Sequence, residues 1–569
     1  MHSKIRNLII VFVLAVLSLM PFLHLDSFYT KGEPREALVP QAMLETGNWI
    51  LPQRYGDTFA TKPPFMHWFS ALISLPSGEV TEWSARFPVA LSGFGIILMS
   101  FIFFTNRIGS KRSLLAALIL LTSFEMHRTS MEARVDMPLT FFMVAAFFLL
   151  YKRFEKGLKG YNIGIVLTLS AAFLIKGPVG IVLPLGIYGL FLLMKGFRFW
   201  RVVGEGVKFG ILSTIIPGLW YFAAYQVGGQ NFIDTVYTEN FARMTGSEDT
   251  GHKGPVYANI IHLLMGFVPW SLLLILSLFN VKKAWMGDGR SFYKSLADKF
   301  NRLPNVMQYT WIAALTIVIF YTIPSSKRSV YLLPSYPFFA ILLAQWFGYL
   351  IDNRKRVVTV VSYFLSILVL IVLTLSLLTG TGLISLSNIA ASLRIDAETS
   401  FHMGLLENLF RSHHFIGYLF TLIALLACVA VFFFHRIRDY RSMFYAAIAV
   451  MFSLNLYLDG YVLPVIKNSM SLKNFALQTS ELSNGTNLYM PSSDNPRYYV
   501  INFYLHNGLR SFEAEKPESG YVYVGDKVFE EFENKTKDQY QLKVISSTPN
   551  KYNDVRQVVH FVHFEKIKK

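Results

Sequence analysis

One cysteine, Cys428, stands in 569 residues, and it lies inside an apolar run. Disulfide frameworks and cysteine-based metal centres are therefore excluded. Charge is scarce as well: 16% of residues are charged, against 53% hydrophobic. A water-soluble chain of this length could not hide so much apolar surface. The signatures of soluble enzymes are missing too, with no phosphate-binding glycine loop, no G-x-S-x-G and no H-E-x-x-H. No internal repeat or low-complexity tract interrupts the chain. Acids are the minority ionisable type, 36 against 53 Lys and Arg, giving a net charge of +17. In a soluble protein that balance would point to nucleic acid. In a polytopic protein, basic cytoplasmic loops produce it, so no nucleic-acid partner is expected.

What the sequence does have is apolar runs of about 20 residues, the length that crosses a hydrocarbon core of roughly 30 Å. About thirteen spans are predicted, within 7–25, 86–105, 112–127, 137–152, 161–176, 178–195, 208–226, 257–280, 306–323, 329–351, 357–379, 413–434 and 442–463. The first run follows Lys4 and Arg6 but has no small-x-small cleavage site, so it reads as an uncleaved helix. With the N-terminus in the cytoplasm, every alternate turn is basic. Examples are Arg107, Lys111 and Arg112; Lys152, Arg153, Lys156 and Lys159; and Arg436, Arg438 and Arg441. The positive-inside rule supports this orientation and sends the C-terminus outside. Outer loops are then expected at 26–85, 227–256 and 380–412. The first should carry a helix along the membrane interface over 34–46 and another over 65–75, started by Pro63-Pro64.

After residue 466 the pattern changes. "NLYM", "SGYVYVG", "YQLKVI" and "VVHFVHF" read as strands, with helices near 471–481 and 526–534. The expected fold is an all-α polytopic membrane domain, residues 1–466, followed by a small extracytoplasmic α/β domain, residues 467–569.

Ionisable residues at membrane depth are costly and usually functional. On the outer side these are Asp136 at the start of the fourth span, with Glu132 and Arg134 beside it; Lys62, held by two prolines in "TKPPF"; and Glu33, Arg35 and Glu36 in "GEPRE". The loop "TENFARMTGSEDTGHKGPVY" adds Arg243 and His252. Lys327 and Arg328 also fall outside, where the positive-inside rule does not account for them. Acids and cations gathered at head-group depth suit an anion carried on a lipid.

The stretches "GEPREALVPQAMLETGNWILP", "TKPPFMHWFSAL", "EWSARFPVALSG", "ARVDMPLTFF", "GFVPWSLLL" and "SKRSVYLLPSYP" resemble, in order and spacing, the aminoarabinose (lipid A) transferases. These are grouped with the protein O-mannosyltransferases among the membrane-embedded glycosyltransferases of the C type (GT-C). The resemblance covers about residues 5 to 350. It implies a sugar donor on a polyprenyl phosphate and transfer, with inversion, on the outer face of the plasma (inner) membrane. The acceptor would be a lipid A-like glycolipid or a protein. Lys62 and Arg35 match donor-phosphate ligands, Lys327 and Arg328 fall in a loop facing the donor, and Asp136 matches a conserved acid. Glu36, Arg134 and Arg243 are expected to bind substrate. His252 falls where the family has a histidine implicated in metal binding.

Two departures stand out. The family reads Asp-Glu-x-Arg where this chain reads Gly32-Glu33-Pro34-Arg35, so of the expected catalytic acids only Glu33 remains there, beside Asp136. Thr61 replaces the glutamate that often precedes Lys-Pro-Pro. No cofactor is required on this reading, and a divalent metal held by His252 alone would be weak. Two other readings remain at the sequence level. One is a lipid-linked sugar transporter or flippase, which calls for charges near the midplane and repeated, broken helices. The other is a non-catalytic binder, suggested by Gly32.

Overall fold

The computed structural model describes every residue except 1, 56–57, 60–61, 239–253, 279–297, 486, 492–497, 550, 553–554 and 568–569. Apolar periodicity becomes helix almost throughout the first 470 residues. The N-terminal half runs α1 (His2–Leu19), α2 (Gly32–Thr46), α3 (Phe65–Ser74), α4 (Glu82–Ile108), α5 (Ser110–Thr122), α6 (Phe124–Thr129), α7 (Asp136–Glu155), α8 (Asn162–Lys176), α9 (Val179–Met194) and α10 (Phe199–Tyr237). Further helices include Asn305–Thr322, Tyr336–Asn353, Lys355–Gly380, Phe415–Arg436 and Tyr440–Tyr457. The protein is a multi-pass membrane protein.

Eight helices among the described residues are long and apolar enough to cross a membrane, or nine if the bent pair Ala258–Gly266 and Trp270–Leu278 forms one span. The count of about thirteen is not reached on length and composition. The expected spans at 161–176 and 178–195 are α8 and α9, of 15 and 16 residues. At 1.5 Å per residue they reach only about 22–24 Å. The expected span at 112–127 divides at Ser123 into α5 and α6.

Polar contacts sort the helix ends into two sets. Lys4 donates to Asn106 at 2.5 Å, Arg107 pairs with Glu155, Arg153 with Glu205 at 2.7 Å, Lys195 donates to Gln308 at 2.5 Å and Arg441 pairs with Asp352 at 3.1 Å. These tie the ends that carry the basic turns. At the opposite ends, Arg86 bonds Asp26 and Glu33, Lys467 bonds Asp26 and Lys176 bonds Asp136.

Helix α2 is more enclosed than an interfacial helix. Residues 36 to 43 are all buried, because α2 lies against α3 on one side and Tyr499–Tyr504 on another. Helix α3 begins one residue after Pro64, and α4 opens on a Thr81–Ser84 capping box that satisfies two otherwise orphaned amides.

The C-terminal residues form a five-stranded sheet in the order β4-β3-β5-β7-β6, comprising β3 (Leu488–Met490), β4 (Arg510–Ser511), β5 (Ser519–Gly525), β6 (Tyr540–Ser547) and β7 (Val559–Lys566); β1 (Gln53–Arg54) and β2 (Thr58–Phe59) make a small hairpin elsewhere. β3 pairs in parallel with β4 and β5, and β7 pairs antiparallel with β5 and β6. Val522, Val524, Val562 and Phe564 alternate along β5 and β7 and are buried on one face of it. The sheet's flanking segments dock on the acid-rich end of the bundle. The Tyr504 hydroxyl donates to Glu82 at 2.7 Å, Lys473 pairs with Glu82 at 3.0 Å, and the Tyr55 amide donates to Asn507 at 3.0 Å.

Candidate active site

The site is assembled around the N-terminal turn of α2. Pro34 suits a first helical turn, where its missing amide hydrogen costs nothing. The turn then aims Glu33 and Glu36 at different neighbours. Glu33 is 3% exposed. Its Oε1 accepts from Arg86 Nε at 2.7 Å and from the Ala133 amide at 2.9 Å, and its Oε2 accepts from Arg86 Nη2 at 3.0 Å. Burial pushes the Glu33 carboxyl up, but Arg86 and these hydrogen bonds outweigh it and leave it below the usual range. Arg86 also donates to the carbonyls of Leu23 and Asp26. Glu33 is thus a clamp joining α2, α4 and the 131–135 turn. Three of the four lone-pair sites of this expected base are taken by Arg86 and the Ala133 amide, in a buried position that leaves little room for an acceptor hydroxyl.

Three residues later in the helix, Arg35 and Lys62 meet over Glu36, at 2.9 and 2.7 Å. His67 of α3 reaches the other oxygen of Glu36 at 3.1 Å. Burial raises the Glu36 carboxyl, and Lys62 and Arg35 with the His67 hydrogen bond more than reverse it, holding it well below the usual range. Burial pulls the Lys62 ammonium down; Glu36 opposes this, while Arg35 and Lys176 add to it. Lys62 keeps 21% of its side chain exposed, so it can still meet a ligand.

Asp136 opens α7 and bonds Lys176, the last residue of α8. Lys62 and Arg328 both lie within electrostatic range of Asp136. Lys176 Nζ also sits 4.4 Å from the Tyr331 ring centre. A ladder of ion pairs continues from there: Glu125 to Arg128 at 3.0 Å, Arg128 to Glu132 at 2.6 Å and Glu132 to Arg134 at 3.3 Å. Arg134 fills the space beside Gly32. A Cβ on Gly32 would stand 2.5 Å from Arg134 Nη2.

The structure therefore brings together Arg35, Glu36, Lys62, Asp136 and Arg328, with Arg134 against Gly32. Lys327, expected in the loop facing the donor, is turned away from this group. Lys327 is 8% exposed, and its ammonium is turned inward to the carbonyls of Thr322, at 2.6 Å, and Pro324. It caps the C-terminal end of helix Asn305–Thr322, where a cation is favoured. Arg243 and His252 lie outside the described residues. Among the described residues no three His, Asp, Glu or Cys side chains form a group able to hold a metal.

Sequence reasoning missed Lys176, Arg86 and His67. A signal for Lys176 existed: "IKGP" puts a lysine in an outer turn, where the positive-inside rule no more explains it than it explains Arg328. Arg86 and His67 sit in stretches that carried the resemblance, yet nothing local marks their partners.

Comparison with known proteins adds to this geometry. Residues 61–221 match the family model described as dolichyl-phosphate-mannose-protein mannosyltransferase. An uncharacterized protein of Aquifex aeolicus is 30% identical over 352 residues, 60% of this chain and 73% of that protein. An undecaprenyl phosphate-alpha-4-amino-4-deoxy-L-arabinose arabinosyl transferase of Shewanella sediminis is 23% identical over 369 residues, and there the chain spans 62% of the relative's length. The crystal structure of ArnT from Cupriavidus metallidurans bound to undecaprenyl phosphate superposes with a TM-score of 0.68, at 18% identity, over 97% of both chains. That superposition shows a shared fold, including the C-terminal sheet.

Proposed function

Because the chain belongs to the membrane-embedded glycosyltransferases of the C type, we propose that it transfers a sugar from a polyprenyl-phosphate carrier to a lipid A-like glycolipid, on the outer face of the plasma (inner) membrane. The observation that carries this reading is the convergence of Arg35, Lys62, Lys176 and Arg328 around Asp136 and Glu36, at the bundle end opposite the basic turns. The positive-inside rule puts those turns in the cytoplasm and the site outside.

The leaving group of such a transfer is a phosphate. Lys62 and Arg35 neutralise the charge that builds on it, with Arg328 and Lys176 behind them, and stabilisation of this kind is usually the largest catalytic term. Asp136 accepts the acceptor's proton once Lys176 turns to the phosphate, a general-base role worth about 10²–10⁴-fold. Glu33 holds α2 against α4, so that Arg35 and Glu36 face the right way. Arg134, lodged where the resemblance leads one to expect an aspartate side chain, and Glu132 beside it bind the acceptor. The sheet domain, residues 467–569, docks through Tyr504 and Lys473 at the same end, within reach of a large acceptor. Among the described residues the donor set around the site does not fit a bound metal, and the transfer described here routes no step through one.

A second reading, transfer to a protein hydroxyl, is favoured by the match of residues 61–221 to the protein mannosyltransferase model. Mass spectrometry of envelope glycolipids and glycoproteins, with and without the gene, separates the two acceptors. Purified protein in liposomes without an ion gradient, given labelled polyprenyl-phosphate sugar, tests the chemistry. A transporter would give no glycosidic product there, and its absence with every acceptor class would overturn the reading.

A further inference from the structure

Glu36 is more heavily bonded than a substrate ligand needs to be. Its Oε1 takes Lys62 at 2.7 Å and Arg35 at 2.9 Å, and its Oε2 faces His67 Nε2 at 3.1 Å. The Glu36 side chain is 6% exposed and that of His67 1%. Nδ1 of His67 is buried and has no hydrogen-bond partner among the described residues. Buried polar nitrogens normally have a partner. Here the imidazole is anchored at one nitrogen, and the other can take a proton without breaking an existing bond. The two cations assigned above to the donor's phosphate are thus already engaged by a carboxylate.

We propose that Glu36 is a placeholder for the donor's phosphate: it holds Arg35 and Lys62 in position, yields them when the phosphate arrives, and the Glu36–His67 pair takes up one proton from solvent as it does so. This rests on the donor-phosphate reading of the site. The cause is electrostatic. A phosphate on Lys62 and Arg35 sets a second anion beside the buried Glu36, and two adjacent anions raise each other's proton affinity. The proton resides on the pair, whose members meet at Glu36 Oε2 and His67 Nε2, 3.1 Å apart. The charged groups facing Glu36 are Arg35 from α2, Lys62 from the turn before α3 and His67 from α3. Asp136 and Lys176, from α7 and α8, act on it through Lys62.

The test is calorimetric titration of the purified full chain with undecaprenyl methyl phosphate, a phosphodiester that does not itself titrate between about pH 6 and 9. Buffers of different ionisation enthalpy report the protons exchanged. Wild type should take up close to one proton per lipid at pH 8, with Kd rising up to about tenfold per pH unit above it. His67→Gln should abolish the uptake and flatten the pH profile. Glu36→Gln should bind about tenfold tighter, the equivalent of ~1.4 kcal/mol, without uptake. Lipid binding by wild type with no proton uptake, or Glu36→Gln binding no tighter than wild type, overturns the placeholder. Binding that is absent in wild type, or unchanged in Lys62→Ala, overturns the donor-site reading itself and the placeholder with it.

Discussion

Glu33→Gln separates a structural carboxylate from a catalytic one. In the wild type, Arg86 is 2% exposed, and Glu33 supplies the charge that compensates two of its donors, at 2.7 and 3.0 Å. Gln offers one acceptor oxygen and one donor amide. If the oxygen meets Arg86 Nε and the Ala133 amide, the new NH₂ faces Arg86 Nη2, donor against donor. Removing one partner of a buried ion pair costs about 3–5 kcal/mol. Asp26 still accepts from Arg86 at 3.1 Å, so the lower end, about 3 kcal/mol, applies. For a chain of 569 residues that corresponds to a fall in Tm of about 2–3 °C, measured by tryptophan fluorescence in detergent. The effect also carries a pH signature. The folded carboxyl lies below its ordinary value, so the stabilisation is present above the unfolded pKa of roughly 4.3. It is lost as pH falls through the folded pKa, and the Tm gap between the two proteins should close under acid conditions. Refolded or thermostabilised Glu33→Gln should regain turnover. An unchanged Tm combined with a loss of turnover of about 10²-fold or more would refute the clamp and restore Glu33 as the base.

Other outcomes follow from the same geometry. Lys62→Ala should lower kcat by about 10²–10³-fold, the cost of losing one donor to a developing anion, in a labelled-donor assay, with Tm little changed because the side chain is partly exposed. Asp136→Asn should cost about 10²–10⁴-fold in turnover while donor binding, read by calorimetry, is retained. Lys327→Ala should leave donor affinity unchanged and lower stability by about 1–3 kcal/mol, since two carbonyls lose their buried cation; a selective loss of donor affinity would return Lys327 to the phosphate site.

Much of the fold was legible in consecutive residues. The expected strands at "SGYVYVG" and "YQLKVI" are β5 and β6, and the helix expected over 65–75 is α3. Alternation and apolar runs are local properties, and so are proline-marked helix starts. Span counting was harder, because α8 and α9 are too short to register as membrane-crossing and α5 breaks at Ser123. The candidate site divided in the same way. Arg35, Lys62, Asp136 and Arg328 could be named as ionisable groups in costly places, without knowing what each would touch.

Hydropathy and the sign of the turns, both written along the chain, were enough to declare a multi-pass protein with its acids and unexplained cations at one end. Partner choice was not. Arg86 lies 53 residues from Glu33, Lys176 lies 40 from Asp136, and Lys327 bends back only five residues to Thr322 instead of joining the other cations. Those pairings follow from which helix ends packing brings within hydrogen-bond distance, and a buried charge takes the nearest partner that compensates its lost hydration. Only the assembled bundle decides which one that is.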